Sequence, residues 1–287
     1  MYPEFIHYTR GSASIWVNRS LAVPSFIDRL TDVDQLLCEP RCQIIKDQRK
    51  IKVGRITIEI AGAQRTIYIK RYNAFSLRYQ LASPFMRSGA FRALRGAAIL
   101  REIAISTAKP VAAVEDRIYG VLTKSFFISE EIVGGETADA YWRNELQPLH
   151  GQAGIDQRSR FLVALARLFN ALHARYIYHN DLKDANILAV ADHAERSVSF
   201  FLLDLEGVKR YALLSEKRRV KNLVQLNRTL GRYISAADKL AFMKNYLGPS
   251  FGRRKLRRRL IEKVLRKSNR LDAMKAGRVK AKLLCIG

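Results

Sequence analysis

Three cysteines in 287 residues, Cys38, Cys42 and Cys285, are too few for a disulfide framework. Cys38-x-x-x-Cys42 has no second ligand pair that would complete a zinc site, and such sparse usage fits a reducing compartment. No run of about 18 apolar residues occurs, so no bilayer-spanning helix is expected. Met1-Tyr2-Pro3-Glu4-Phe5 lacks the basic start and apolar stretch of a secretory signal, which predicts a cytoplasmic chain. Internal repeats and low-complexity linkers are absent as well, which argues for one cooperative unit with a basic tail. The scarcest resource is negative charge: 26 Asp+Glu stand against 51 Lys+Arg, a net +25. With 48% hydrophobic and 27% charged residues the chain is globular material, not a disordered polyelectrolyte. Its length suits one large domain or two lobes, and its excess charge requires an anionic partner such as nucleic acid, lipid or phosphorylated sugar.

The charge is clustered. Residues 253–282 carry 14 Lys/Arg against Glu262 and Asp272, a net 14 − 2 = +12. Residues 71–101 hold six arginines and no acid. The first 40 residues show no strong period, although Trp16, Phe26 and Leu30 can anchor them. Alternation over Val53–Ile60, a turn at Ala61-Gly62-Ala63-Gln64 and a second apolar run at Thr66–Lys70 predict a hairpin. A helix is predicted over Ser88–Arg101 and a strand over Ser125–Ile128, ending at Glu130-Glu131 before Gly134-Gly135. Phe161, Leu162, Leu165, Leu168, Phe169 and Leu172 fall at helical spacing, and a strand follows at Val198–Leu203. Strands first and helices after predict an α+β, two-lobed architecture.

The chemistry concentrates in His179-Asn180-Asp181-Leu182-Lys183-Asp184-Ala185-Asn186-Ile187-Leu188, followed 18 residues after Asn186 by Asp204 at the end of an apolar strand. Phosphoryl transfer needs a carboxylate to hold the acceptor hydroxyl and take its proton, and oxygen ligands to fix magnesium on the nucleotide phosphates. Asp181 suits the first task, and Asn186 and Asp204 suit the second. Lys183 is placed to meet the transferred phosphate. Singly, His-x-Asp and Asp-x-Glu-Gly are common in surface loops and turns; it is their joint spacing with an apolar strand between that is informative. His179 is expected to brace the loop rather than exchange protons.

On these residues the sequence resembles the protein-kinase-like superfamily, and more closely the bacterial lipopolysaccharide core kinases of the Kdo/heptose kinase family. The resemblance extends from about Ile67 to Leu247. Ile67–Tyr72 looks like the strand carrying the nucleotide-phosphate lysine, here Lys70. Phe127–Glu131 looks like the hinge that meets adenine, which assigns Glu130 and Glu131 to the cofactor site. Ser88–Pro110 and Lys221–Arg228 match two further family segments. The resemblance implies a two-lobed protein-kinase-like fold with a small β-rich N-terminal lobe (41–132) and a helical C-terminal lobe (133–252), flanked by an N-terminal extension (1–40) and a basic amphipathic segment (253–287). It implies ATP and Mg2+ as cofactors and a sugar hydroxyl of the lipopolysaccharide inner core, on Kdo or heptose, as acceptor. A soluble small-molecule or protein kinase of the same superfamily, or a kinase-shaped scaffold without activity, is compatible with the same residues.

Departures from the kinase pattern are specific. No Gly-x-Gly-x-x-Gly covers the phosphates, and Ile45–Lys50, the candidate turn, has no glycine. No acid lies between Lys70 and Glu102 to pair the strand lysine, so Glu102 is the nearest candidate. Asn180 stands where protein kinases commonly carry arginine, and Asp204-Leu205-Glu206-Gly207 lacks the Phe of their metal motif. Glu206 is a further metal ligand or a solvent-facing residue. Arg253–Lys267 projects Leu256, Leu260, Ile261, Val264 and Leu265 onto one half of a helical wheel and basic residues onto the other. That pattern predicts a helix packed on the C-terminal lobe, or one lying at an anionic inner-membrane surface as a peripheral anchor. No nucleic-acid partner is expected, since no aromatic interleaving or binding module accompanies the basic residues.

Overall fold

The computed structural model describes residues 3–73, 82–192 and 197–284, with side chains to residue 277. Cys285, and Arg78 of the arginine-rich stretch, lie outside the described residues. The chain divides into two compact units. Residues 1–133 and 204–208 form the first, and residues 134–203 and 209–287 the second.

The first unit is built on an antiparallel sheet. Its strands are β1 (Phe5–Arg10), β2 (Ala13–Asn18), β3 (Gln43–Gln48), β4 (Ile51–Ile60), β5 (Ala63–Asn73), β7 (Pro110–Ile118) and β8 (Val121–Glu130), in the order β1-β2-β7-β8-β5-β4-β3; the two-residue β6 (Ser106–Thr107) is not part of this sheet. Helices α1 (Pro24–Leu30) and α2 (Val33–Cys38) connect β2 to β3, and α3 (Gly89–Arg101) lies between β5 and β6. The β4–β5 hairpin closes through Ala61 and Gly62, both with positive φ (53° and 77°), in register Ile60↔Ala63. Two left-handed residues match the twist of the flanking strands, which is why a glycine occupies the second of them. The stretch 1–40, expected as an extension of unclear structure, contributes residues to the core of this unit. Ile15, Val17, Phe26, Ile27 and Leu30 are buried in the same core as Ile56, Ile58, Ile67, Ile69, Phe126 and Ile128. Their signal is weak in sequence because two six-residue strands and two short helices give no run long enough to establish a period.

Period-two alternation along β5 decides which residues face that core. Ile67 and Ile69 point into it, and Lys70 and Tyr72, one residue out of phase, lie with α3. Ser88 caps α3 by accepting from the Phe91 N–H at 3.0 Å. The helix approaches its neighbours through glycines. A Cβ at Gly89 would fall 2.6 Å from the Tyr72 ring, and one at Gly96 would fall 2.2 Å from the Leu205 carbonyl oxygen.

In the second unit, α5 (Gly151–Ala174) buries Phe161, Leu162, Leu165, Phe169 and Leu172 and packs against α7 (Ala236–Leu247). The remaining helices are α4 (Ala138–Tyr141), α6 (Glu216–Arg228) and α8 (Arg254–Leu284). Strands β9 (Glu136–Thr137), β11 (Ile187–Asp192) and β12 (Ser197–Leu202) form an antiparallel group with β11 in the middle. β10 (Ile177–His179) leads into the Asp181 loop, and β13 (Val208–Arg210) follows the turn at Leu205–Gly207. α8 packs along α6 with Leu260, Val264 and Ser268 buried, and Arg259 and Lys263 both pair with Glu216 at 2.8 Å. The predicted amphipathic helix thus continues well beyond Lys267 and is part of the helical unit. Among the described residues no helix is long and apolar enough to cross a membrane.

The glycine at position 96 gives a direct test. Gly96→Ala forces its methyl against the Leu205 carbonyl, and overpacking of this kind costs ~1–3 kcal/mol. A lowered urea midpoint is expected, together with changed fluorescence of a probe attached near Leu205. An unchanged midpoint would mean that α3 does not sit on this turn.

Candidate active site

In the first unit the lysine predicted to hold nucleotide phosphates is already engaged. Lys70 Nζ lies 2.5 Å from Asp204 Oδ1 and 5.0 Å from the centre of the Tyr72 ring. Asp204 adopts a left-handed backbone (φ 57°, ψ 53°), a conformation that Asp tolerates better than most residues. The partner of Lys70 is thus the carboxylate of the strand-end motif, and Glu102 caps the C-terminal end of α3. Glu206 is not turned to solvent. It is half-buried and faces the Arg92 guanidinium at 3.5 Å. Burial raises its carboxyl above the usual range, with Lys70 opposing the shift and Asp204 adding to it. Burial likewise pushes the Tyr72 phenol well up, and the Glu206 and Asp204 carboxylates add to the rise. Two cations and two carboxylates therefore alternate here, which a search for a helix glutamate overlooks.

Glu130 and Glu131 end β8 on the same unit. Glu130 accepts from Arg65 at 2.8 Å. Glu131 takes a two-pronged contact from Arg55 at 2.7 and 3.0 Å, which holds its carboxyl below the ordinary value against the opposing effect of burial. Their side chains brace the sheet. Their N–H groups donate to the Lys109 and Thr66 carbonyls, both at 2.9 Å.

The second unit holds the other half of the predicted set. Asp181 is half-buried, and three groups fix its carboxylate. Lys183 Nζ lies at 2.7 Å and Asn186 Nδ2 at 3.1 Å from Oδ2, and Gln225 Nε2 donates to Oδ1 at 3.3 Å. Asn186 Nδ2 also donates to the Asp181 carbonyl at 2.7 Å. With its nitrogen committed inward, the amide leaves Oδ1 as the atom able to meet a metal. The buried His179 ring accepts from the Asp181 N–H at Nδ1 (3.2 Å), so its proton sits on Nε2 and is donated to the Leu203 carbonyl at 2.8 Å. One neutral ring ties the Asp181 loop to the residue immediately before Asp204.

Sequence reasoning missed the support under this loop. Along one face of α6, Asn222 Nδ2 donates to the His179 carbonyl at 2.6 Å. Gln225 Nε2 donates to the Asn180 carbonyl at 2.9 Å, and Gln225 Oε1 accepts from the Leu182 N–H at 3.2 Å. Two amides three residues apart inside Lys221–Arg228 were the available signal, since such spacing puts both on one helix face. Asn222 is held in turn by His173, whose ring lies 3.2 Å from Asn222 Oδ1 and 2.8 Å from the Tyr246 hydroxyl. Among the described residues no group of three His, Cys, Asp or Glu side chains gathers into a metal cage. That is compatible with magnesium, which binds such sites through one or two carboxylates plus phosphate oxygens and water.

Comparison with known proteins decides the family. The sequence profile of the lipopolysaccharide kinase (Kdo/WaaP) family matches residues 44–246. The chain belongs to that family. Membership makes it a kinase, a phosphotransferase of lipopolysaccharide biosynthesis, and implies ATP as the phosphoryl donor. The solved structure of WaaP in complex with acyl carrier protein aligns with a TM-score of 0.61 at 18% identity, over 84% of this chain and 92% of that one. That likeness shows the shared fold, a strand-rich N-terminal region and a helical C-terminal portion. Comparison with curated protein sequences gave no match. The lipopolysaccharide kinase match begins at Ile44, inside β3, so β1, β2, α1 and α2 lie outside it although they share the core of the first unit.

The support under the loop carries a pH signature. Burial lowers His173 from its ordinary value to about 4. Between pH 6.5 and 4 the unfolded chain binds a proton there that the folded chain does not, so stability is full above pH 6.5 and falls as pH drops towards 4. A shift of that size corresponds to ~3 kcal/mol. Urea midpoints should decline over that window and decline less in His173→Gln. Equal slopes in the two proteins would remove His173 as the cause.

Proposed function

We propose that the protein transfers the γ-phosphoryl group of ATP, with magnesium, to a hydroxyl of a Kdo or heptose sugar in the lipopolysaccharide inner core. The observation that carries this reading is the Asp181 carboxylate, oriented by Lys183, Asn186 and Gln225 yet still half-open to an incoming ligand. Asp181 accepts the proton of the attacking sugar hydroxyl as the new oxygen–phosphorus bond forms. Lys183, beside that carboxylate, balances the charge on the moving phosphoryl group. Lys70 leaves Asp204 for the nucleotide phosphates, and the Asp204 carboxylate and Asn186 Oδ1 serve as magnesium ligands. Magnesium held by these residues would supply charge neutralisation of the phosphate oxygens. Arg92 keeps Glu206 ordered next to that carboxylate. The carbonyls of Glu130 and Glu131 are the groups of the hinge that meet adenine.

Asp181→Asn keeps the shape of the site and removes the base. Transfer of labelled phosphate to inner-core saccharide should fall about 10²–10⁴-fold, with an unchanged melting curve. Turnover at the normal rate would sink the assignment.

The basic tail adds a location to this reading, the anionic surface of the inner membrane on its cytoplasmic side. Arg259 and Lys263 are spent on Glu216, whereas Arg266, Lys267 and Arg270 line an open groove of about 590 Å³ with Lys217. Each basic residue near anionic lipid contributes about 1 kcal/mol. Changing Arg266, Lys267 and Arg270 together to Gln should weaken sedimentation with phosphatidylglycerol vesicles about a hundredfold. Undiminished binding would place the membrane contact elsewhere.

A further inference from the structure

The loop bearing Asp181 has more positive charge around it than its own chemistry uses. Lys183 is paired with Asp181, and Asp184 is buried, its Oδ1 accepting from the Ala185 N–H at 2.7 Å. Two further cations, Arg218 and Lys221, come from α6. Among the described residues neither forms an ion pair with a carboxylate. Lys183, Lys221 and Arg218 thus stand on this loop and on the helix face beside it with one carboxylate paired among them, an excess of positive charge that favours an anion.

Both cations are held in place by neutral groups. Lys221 Nζ donates to Asn180 Oδ1 at 3.0 Å, and the Tyr178 hydroxyl donates to the same oxygen at 3.3 Å. The Arg218 guanidinium stacks on the Tyr211 ring at 3.9 Å and lies 6.0 Å from the Tyr178 ring. Stacking fixes the plane of a guanidinium and leaves its edge donors outward, the arrangement suited to two oxygens of a carboxylate or phosphate. The geometry also fixes their distance from the chemistry. Arg218, Lys221 and Gln225 follow one another on a single face of α6, so Lys221 is one helical turn from the amide that touches Asp181. Asn180, the residue that Lys221 grips, is bonded directly to Asp181. An exposed asparagine here, in place of an arginine, provides an acceptor that anchors the lysine without consuming its charge.

We infer that Lys221 and Arg218, set on Asn180, Tyr178 and Tyr211, form an anion-recognition site for the acceptor, binding a carboxylate or phosphate carried by the sugar beside the hydroxyl that Asp181 deprotonates. Lys221 and Arg218 are then specificity-determining residues, and the two tyrosine rings are the support on which the guanidinium is oriented. This rests on the reading of Asp181 as base for a saccharide hydroxyl, and it explains how such an enzyme selects an acidic sugar over a neutral one.

Equilibrium binding without nucleotide separates the two ideas. Full-length protein is titrated with a glycoside of a Kdo-type sugar acid, with its neutral methyl ester, and with a sugar phosphate. Losing a charge-assisted contact weakens binding about tenfold or more, so wild type should prefer the acid to the ester by at least that ratio. Lys221→Met and Arg218→Met should each bring the ratio close to one, and Lys221→Arg should keep it. A charge-dependent preference for the sugar phosphate supports the same site and names phosphate as its ligand. Equal binding of acid and ester by wild type, or a ratio undisturbed in both folded Met variants, overturns the site. Wild-type protein that binds the acid but never phosphorylates it overturns the kinase reading of the acceptor and leaves the anion site standing. Melting curves by circular dichroism confirm that each variant is folded.

Discussion

The buried, neutral ring of His179 is the constraint on which the catalytic half of this chain depends. It accepts from the Asp181 N–H and donates to the Leu203 carbonyl, so the Asp181 loop and the strand end that precedes Asp204 are fixed by one side chain. A neutral imidazole has one donor and one acceptor nitrogen on opposite sides of the ring and so satisfies both at once. Because it is buried, failing to satisfy either would cost the full desolvation penalty of that group. The rest of the polar network extends from it. Asn222 holds the His179 carbonyl, His173 holds Asn222, and Tyr246 holds His173. An otherwise apolar helical unit thus accepts a chain of buried polar groups because each is paired.

In the strand-rich unit electrostatics takes the place of the missing glycine loop and helix glutamate. Lys70 with Asp204 and Arg92 with Glu206 form two pairs of opposite sign, packed under a helix whose Gly89 and Gly96 let it approach the Tyr72 ring and the Leu205 carbonyl. A glutamate from the helix is unnecessary when the helix supplies an arginine and the turn supplies both carboxylates. The pairs also hold the Lys70 side chain in one place, against Asp204 and over the Tyr72 ring.

Much of the fold was legible in the residues. The Val53–Ile60 and Thr66–Lys70 alternation marked a hairpin, and the stripe Phe161–Leu172 marked the central helix, because long elements with one buried face must repeat at their own period. Residues 1–40 were opaque for the converse reason: each element there is too short to repeat. At the site, Asp181, Lys183, Asn186 and Asp204 stood out through their spacing. Gln225 and Asn222 did not, since an amide that holds a loop 45 residues away in the chain leaves no local pattern. The position of Glu206 stayed open between metal and solvent because its depth depends on how closely α3 approaches the turn, which two glycines decide.

The sequence alone determined the chemical types: a carboxylate on a loop, an amide five residues on, an aspartate at a strand end, a lysine on a strand and a large excess of positive charge. Spacing along the chain fixes these, because a loop of given length brings its own residues together whatever packs around it. Only the tertiary structure decided their partners: that Lys70 meets Asp204, that Glu130 and Glu131 are tied to Arg65 and Arg55, that Arg259 and Lys263 of the tail helix pair with Glu216, and that Arg218 and Lys221 meet no carboxylate among the described residues. Charge pairing acts over a few ångströms in space and is indifferent to distance in sequence, so no reading of the linear order could have assigned it.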